Sequence, residues 1–252
     1  MTTTRTSTPG GILYGVGVGP GDPELLTLKA HRLIRAADVI AYPAPDDAAS
    51  FARSIVADTI AAGTREIRIE VPMRTERFPA QDVYDRSAHE IGEILSAGQD
   101  VIVLCEGDPF FYGSFMYLFE RLAGEHAVEI VPGVSSLTAC AAMLQRPLAA
   151  RNDMLSVIPA PLDEKVLKER LQQADAAAII KVGRHLPKVR RCLDALGLLD
   201  RAAYVERATL PNMKTCALAD VTAESVPYFS MILLYAGGEK WGEQMGREDR
   251  HE

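Results

Sequence analysis

The sequence predicts an α/β protein made of two α/β domains, residues 11–131 and 132–242. Two observations carry this. Short apolar runs alternate with segments of helical periodicity along most of the chain, the pattern of strands packed against helices. The pattern then restarts after Pro132-Gly133, and a second series of strands and helices follows. With 252 residues, 48% hydrophobic and 24% charged, the chain holds enough apolar material for an ordinary core.

Residues 12–18 read as a buried first strand. Residues 25–37 have helical spacing, with Leu25, Leu28, Leu33 and Ile34 apolar and Lys29, Arg32 and Arg35 polar. A second strand over 39–42 is expected to stop at Pro43 and Pro45. Helices are expected over 47–61 and 80–96, around a short strand at 66–70. The run 101–105 is a clear buried strand, followed by a helix over 114–122 and a strand over 128–131. Beyond Pro132, strands are predicted at 155–158, 177–181, 203–206 and 230–235, and helices at 163–173 and 186–196. Residues 1–10, Thr-rich with one Arg, and the polar residues 243–252 are read as flexible tails.

Several function classes become less favourable. No apolar run approaches about 20 residues, so no membrane span is expected. The stretch 12–18 is too short and glycine-broken for the apolar core of a secretory signal. Cys105, Cys140, Cys192 and Cys216 lie far apart, which argues against a zinc site and against a disulfide framework. His31, His89, His126, His185 and His251 show no metal-ligand spacing. A net charge of −7 disfavours a nucleic-acid partner. A cytoplasmic location follows as the default.

Three strand-end loops stand out. The first is Gly17-Val18-Gly19-Pro20-Gly21-Asp22. Glycines here let the backbone turn sharply and approach a ligand closely. It does not match the dinucleotide fingerprint: the sixth residue counted from Gly17 is Asp22, and counted from Gly15 it is Pro20. No Lys-Ser/Thr pair follows, so it is no P-loop either. Pro20 removes an amide donor and Asp22 adds negative charge, which makes the loop a poor phosphate cradle. A plain turn with Asp22 as helix cap is the simpler use of these residues. The second loop is Glu106-Gly107-Asp108-Pro109-Phe110-Phe111-Tyr112-Gly113-Ser114, at the carboxyl end of a strand, where open α/β sheets bind ligands. Asp108 can accept from an amine or hydroxyl, and Phe111 or Tyr112 can face a flat group. A β-turn with core aromatics explains the same residues. The third loop is Pro132-Gly133-Val134-Ser135-Ser136, where either serine can cap a helix or hold a small polar ligand.

Taken together, the three loops resemble the tetrapyrrole methylase family in order and spacing. The resemblance begins with Gly-x-Gly-Pro-Gly-Asp and Leu-Leu-Thr-Leu-Lys-Ala over residues 17–30. It continues through Ala36-Ala37-Asp38-Val39-Ile40, Gly107-Asp108-Pro109 with Tyr112-Gly113, and Pro132-Gly133-Val134-Ser135-Ser136. It extends to Glu206-Arg207-Ala208-Thr209, so it covers nearly the whole chain. Within the family, Ala41-Tyr42-Pro43-Ala44, Val71-Pro72-Met73, Ala208-Thr209-Leu210-Pro211 and Pro227-Tyr228-Phe229-Ser230 are similar to members that methylate precorrin-2 at C20. A relative acting on uroporphyrinogen III carries aspartate where Pro43 stands and uses a lysine further on; residues 66–74 contain none.

The resemblance implies two α/β domains with the cofactor cleft between them, a homodimer, and S-adenosylmethionine as cofactor. Carried over residue by residue, its contacts are Pro20, Glu106, Gly107, Asp108, Phe111, Ser135 and Ser136, with Val182 and Ala208 from the second domain. The implied reaction is C20 methylation of precorrin-2 to precorrin-3A in corrin synthesis, with a small-molecule tetrapyrrole as partner and no protein nucleophile. The base that takes the C20 proton is left open among Glu106, Asp108, Tyr112 and water. A polycarboxylate substrate on an acidic protein requires a local basic rim, for which Arg74, Arg151 and Arg207 are the leading candidates, with Arg77, Lys181, Arg184 and Lys214 behind them. Cobalt-factor II as substrate, a macromolecular substrate, and a non-catalytic tetrapyrrole carrier are the competing readings.

Overall fold

The structure is a computed structural model and describes residues 10–46, 48–71 and 78–238. The expected tails, apart from Gly10, lie outside these residues, as does Arg74. The chain divides into two compact units, Met1–Ser135 and Ser136–Glu252. Each carries a five-stranded sheet with helices, an α/β arrangement in both.

The first unit contains β1 (Ile12–Gly17), α1 (Leu28–Arg35), β2 (Val39–Ala44), α2 (Phe51–Ile55), β3 (Arg65–Glu70), α3 (Phe78–Ser96), β4 (Val101–Cys105), α4 (Phe115–Leu122) and β5 (Ala127–Val131). The strand order is β3-β2-β4-β1-β5 and every pairing is parallel. A parallel sheet needs both faces covered. On β4, Val101, Val103 and Cys105 pack with α3 and α4. Ile102 and Leu104 alternate to the other face, with α1 and α2. Because all strands point one way, the loops that leave β1, β4 and β5 emerge at one edge.

Local chemistry explains where elements differ from the sequence-based expectation. The helix expected over 25–37 is two starts in succession. Asp22 Oδ1 accepts from the Glu24 amide at 2.8 Å and caps a single 3-10 turn, Pro23–Leu25. Thr27 Oγ1 then accepts from the Ala30 amide at 3.1 Å and begins α1. Nor does β2 stop at Pro43. It pairs with β3 through Ala44, but with β4 only at Ile40 and Ala41. Past Ala41 one side of the strand is an edge, where a missing proline N–H is tolerated, and the Pro43 carbonyl accepts from Ser50 Oγ at 2.6 Å. The helix expected over 47–61 shortens to α2. Ser50 caps its start, and turns ending near Gly63, at φ +90°, return the chain to β3.

The second unit contains α5 (Ser136–Met143), β6 (Leu155–Pro159), α6 (Glu164–Gln172), β7 (Ala176–Ile180), α7 (Leu186–Ala195), β8 (Ala202–Glu206), β9 (Lys214–Ala217) and β10 (Ser230–Tyr235). The order is β6-β7-β10-β8-β9. β6 and β7 are parallel, while β10 runs antiparallel to both β7 and β8, and β9 antiparallel to β8. The carboxyl ends of β6, β7 and β8 therefore share an edge with the first residues of β9 and β10. Sequence reading missed β9: it is a four-residue edge strand whose first two residues are exposed, so it lacks an apolar alternation. α6 and α7 cover one face of the sheet, and Cys140 of α5 packs on the other.

Gly15 of β1 is a packing requirement. A Cβ there would lie 2.5 Å from the Phe115 ring, which is 1% exposed and has no room to retreat. Gly15→Ala is expected to destabilise the protein by about 1–3 kcal/mol. The urea unfolding midpoint should fall with an unchanged slope, and Phe115→Leu in the same chain should recover part of the loss.

Candidate cofactor site

The three glycine loops meet at the carboxyl edge of the first sheet. Val18 continues the ladder beyond β1, its amide donating to the Cys105 carbonyl at 2.9 Å. Gly19 and Gly107 then exchange two backbone bonds, Gly107 N to Gly19 O at 2.8 Å and Gly19 N to Gly107 O at 3.3 Å. Both have left-handed backbone, at φ +79° and +64°. Gly17, Gly107 and Gly133 touch through their main chains. A Cβ on Gly133 would stand 1.9 Å from the Gly107 oxygen, and one on Gly17 would stand 2.5 Å from the same atom. No larger residue fits at Gly17 or Gly133 without moving backbone.

Asp108 ties the second loop to the third. Its Oδ1 accepts from the Phe110 amide at 2.9 Å and its Oδ2 from the Gly133 amide at 3.1 Å. Each oxygen keeps a further lone pair, but the carboxylate first of all sets loop geometry. Glu106 follows β4 directly. Burial pushes its carboxyl up from the ordinary glutamate range, opposed by backbone hydrogen bonds from Glu106 itself and from Ala52 in the first turn of α2. Pro20 is buried beside the Gly19 bridge. Phe111 is half-buried, edge-on to Tyr112 at 5.2 Å. Tyr112 is exposed and holds φ +57°, a conformation that is uncommon for a bulky residue. Ser135 is half-buried, and Ser136 is the exposed first residue of α5.

The electrostatics of this edge are one-sided. The segments 17–22, 105–114 and 131–135 contain Asp22, Glu106 and Asp108 and no lysine or arginine. That set of carboxylate acceptors opposes a phosphate and suits a cationic ligand. Cys105, adjacent to Glu106, is no nucleophile, because burial holds its thiol protonated, well above the usual range.

In the second unit, Val182 and Ala208 follow β7 and β8 at one sheet edge. Val182 is fully buried, main chain included, and Ala208 is 7% exposed. Arg207 lies at that same edge, at φ +51°. Arg151 does not. Its turn is closed by Asp153, whose Oδ2 also receives the Tyr235 hydroxyl at the last residue of β10, on the opposite edge. The structure therefore separates two of the arginines that the sequence reading grouped. A buried cluster of Tyr204, Glu206 and Ser230 escaped that reading. Its only sequence signal was the spacing of Tyr204 and Glu206 on one strand face. Among the described residues, no group of three or more His, Cys, Asp or Glu is arranged to hold a metal. No described helix is long and apolar enough to cross a membrane.

Asp108→Ala would leave the amides of Phe110 and Gly133 without their acceptor. It is expected to cost about 1–3 kcal/mol of stability in the absence of any ligand. Asp108→Asn, which keeps one acceptor oxygen, should cost less. Urea denaturation of the ligand-free proteins reads the difference, and equal stability of all three would show that the Asp108 tie contributes nothing.

The family model for Tetrapyrrole (Corrin/Porphyrin) Methylases matches residues 12–222. A precorrin-2 C(20)-methyltransferase from Sinorhizobium sp is 43% identical over 89% of this chain and 95% of its own length. A cobalt-precorrin-2 C(20)-methyltransferase from Salmonella typhimurium is 32% identical over 89% of this chain and 96% of its own. Among solved structures, a cobalt precorrin-4 methyltransferase matches with a TM-score of 0.69 at 23% identity, covering 92% of this chain and 95% of that one. A Thermus thermophilus uroporphyrin-III C-methyl transferase, solved with S-adenosyl homocysteine, matches with a TM-score of 0.64 at 26% identity, covering 90% of this chain and 98% of that one. The chain therefore belongs to the tetrapyrrole (corrin/porphyrin) methylase family.

Proposed function

We propose that this protein is an S-adenosylmethionine-dependent C-methyltransferase that methylates precorrin-2 at C20, giving precorrin-3A in cobalamin synthesis. The observation that carries the substrate is the 43% identity to a precorrin-2 C(20)-methyltransferase along 95% of that enzyme. The relative named for the cobalt-containing macrocycle is less similar, at 32%, which favours the metal-free substrate.

The first unit fits the cofactor on two counts. The Gly17, Gly107 and Gly133 cradle brings main chain, free of side chains, to a strand-end edge. The carboxylates around it match a sulfonium cation. S-adenosylmethionine, when bound, supplies an activated methyl group. Pro20, Glu106, Gly107, Asp108, Phe111, Ser135 and Ser136 are the proposed contacts, with Val182 and Ala208 as further candidates. The chain's contribution is orientation, which can supply much of the acceleration for a reaction between two held groups. Glu106 is a candidate to receive the C20 proton, since burial raises its basicity above that of an ordinary carboxylate. A substrate rim that includes Arg207, with Arg74 as a further sequence-based candidate and Arg151 left out because it stands on the opposite edge of its sheet, completes the proposal together with a homodimer and a cytoplasmic location.

Incubation with S-adenosylmethionine and precorrin-2 should yield a product one methyl heavier by mass spectrometry. An unchanged mass with both precorrin-2 and its cobalt counterpart overturns the reading. Light scattering at micromolar concentration should report a dimer.

The Glu106 charge gives a pH signature. A raised carboxyl pKa means protonation begins at a higher pH than for free glutamate, and the neutral form no longer attracts a sulfonium. Affinity for S-adenosylmethionine should fall as pH is lowered through that range, while affinity for uncharged-sulfur S-adenosylhomocysteine changes little. Glu106→Gln should abolish the difference between the two calorimetric profiles.

A further inference from the structure

A buried polar cluster lies at the carboxyl end of β8 in the second unit. Glu206, the last residue of the strand, is 6% exposed. Its Oε2 accepts from the Tyr204 hydroxyl at 2.6 Å. Its Oε1 accepts from Arg207 Nη1 at 2.7 Å and faces Lys214 Nζ at 3.5 Å. Tyr204 has a single hydroxyl proton and gives it to Glu206, so in its 3.0 Å contact with Ser230 Oγ the serine donates. Ser230, Tyr204 and Glu206 thus form a directional chain of bonds that strengthen one another. Strand register assembles it: Tyr204 and Glu206 share a face of β8, while Glu206 pairs with Lys214 on β9 and with Ser230 on β10.

The charge of the cluster is not balanced. One carboxylate faces two cations, a net of +1 from −1 + 2. Fold stability does not call for this, since an apolar group serves a buried position at least as well as an ion pair. What Glu206 does is hold two like charges beside one another, on the same oxygen, at a strand-end edge. Both stay accessible, with side-chain exposures of 33% for Arg207 and 74% for Lys214. The backbone supports the arrangement. Arg207 and Thr209 both adopt left-handed φ, at +51° and +69°. The turn is fixed by Arg207 N donating to Phe229 O at 2.8 Å and Leu210 N to Arg207 O at 3.0 Å. Left-handed non-glycine residues persist where the surroundings over-determine them, and they cluster at ligand clamps. Exposed Tyr228 and Phe229, packed edge to face, enter β10 at this edge.

We propose that Arg207 and Lys214, held on the Tyr204–Glu206–Ser230 base, form a subsite for a carboxylate of the substrate, with Glu206 and Tyr204 as positioning residues. The tetrapyrrole as bearer of that carboxylate rests on the function proposed above; the anion chemistry does not.

The test is fluorescence titration of the full chain with uroporphyrin, a flat polycarboxylate, alongside calorimetry with S-adenosylhomocysteine and with mellitate, a small polycarboxylate. Lys214→Ala and Arg207→Ala should each weaken uroporphyrin and mellitate binding by roughly fivefold, and high salt should shrink the difference. Glu206→Gln is the decisive variant. It makes the site more positive, so binding must tighten if bulk charge alone acts, and must weaken if Glu206 positions the cations. Should Glu206→Gln fail to fold by circular dichroism, Tyr204→Phe removes the supporting bond while keeping the ring, and it too should weaken binding. Wild-type affinity in the cation variants, or tighter binding in Glu206→Gln, overturns the subsite. If the wild type binds neither uroporphyrin nor S-adenosylhomocysteine, the proposed function fails. Mellitate binding that depends on Arg207 and Lys214 then still upholds the subsite, and mellitate binding that ignores them removes it.

Discussion

The mutual approach of Gly17, Gly107 and Gly133 is the constraint on which the candidate cofactor site depends. Three loops leave β1, β4 and β5 at one edge of a parallel sheet, and their main chains come into contact where side chains would ordinarily hold them apart. A Cβ on Gly133 would fall 1.9 Å from the Gly107 carbonyl. The paired bonds between Gly19 and Gly107 lock two of the loops, and the Asp108 carboxylate locks the second to the third. The result is a rigid edge lined by backbone, which holds functional geometry better than loops free to move.

The same carboxylates that build this edge also set its charge. Asp108 is engaged by two amides, and the half-buried Glu106 takes a backbone hydrogen bond from Ala52 at the start of α2. An acidic residue used structurally still contributes its field, and no lysine or arginine in the three loops offsets it. Structure and ligand preference are therefore not separable here: removing Asp108 disturbs the loops and the potential together.

The second unit solves a different problem with a mixed sheet. Reversal of β10 brings the ends of β7 and β8 to the same edge as the starts of β9 and β10. That reversal lets one buried carboxylate on β8 reach a tyrosine on its own strand, a serine on β10 and a lysine on β9. The two sheets thus present edges of opposite character, one carboxylate-rich and one with paired cations.

Much of the fold was legible in the sequence, because burial on both faces writes itself as an apolar run. β4 and β10 were read at their true bounds, and the α/β alternation identified the architecture. Family membership was legible for a related reason: glycines with no steric substitute leave a recognisable spacing. Elements set by competition between neighbours were not legible. Pro43 sits inside a strand because β4 has already parted from it, which no local pattern records. β9 exists through pairing alone. At Asp108 a sequence shows the carboxylate but not its structural tie to the Gly133 amide, 25 residues away. The same holds for the basic residues. Composition named them, but which face one another, as Arg207 and Lys214 do across Glu206, and which stand on opposite edges, as Arg151 and Arg207 do, follows from strand direction and register. Those are properties of the assembled sheet, fixed by long-range pairing and not by local residue preference.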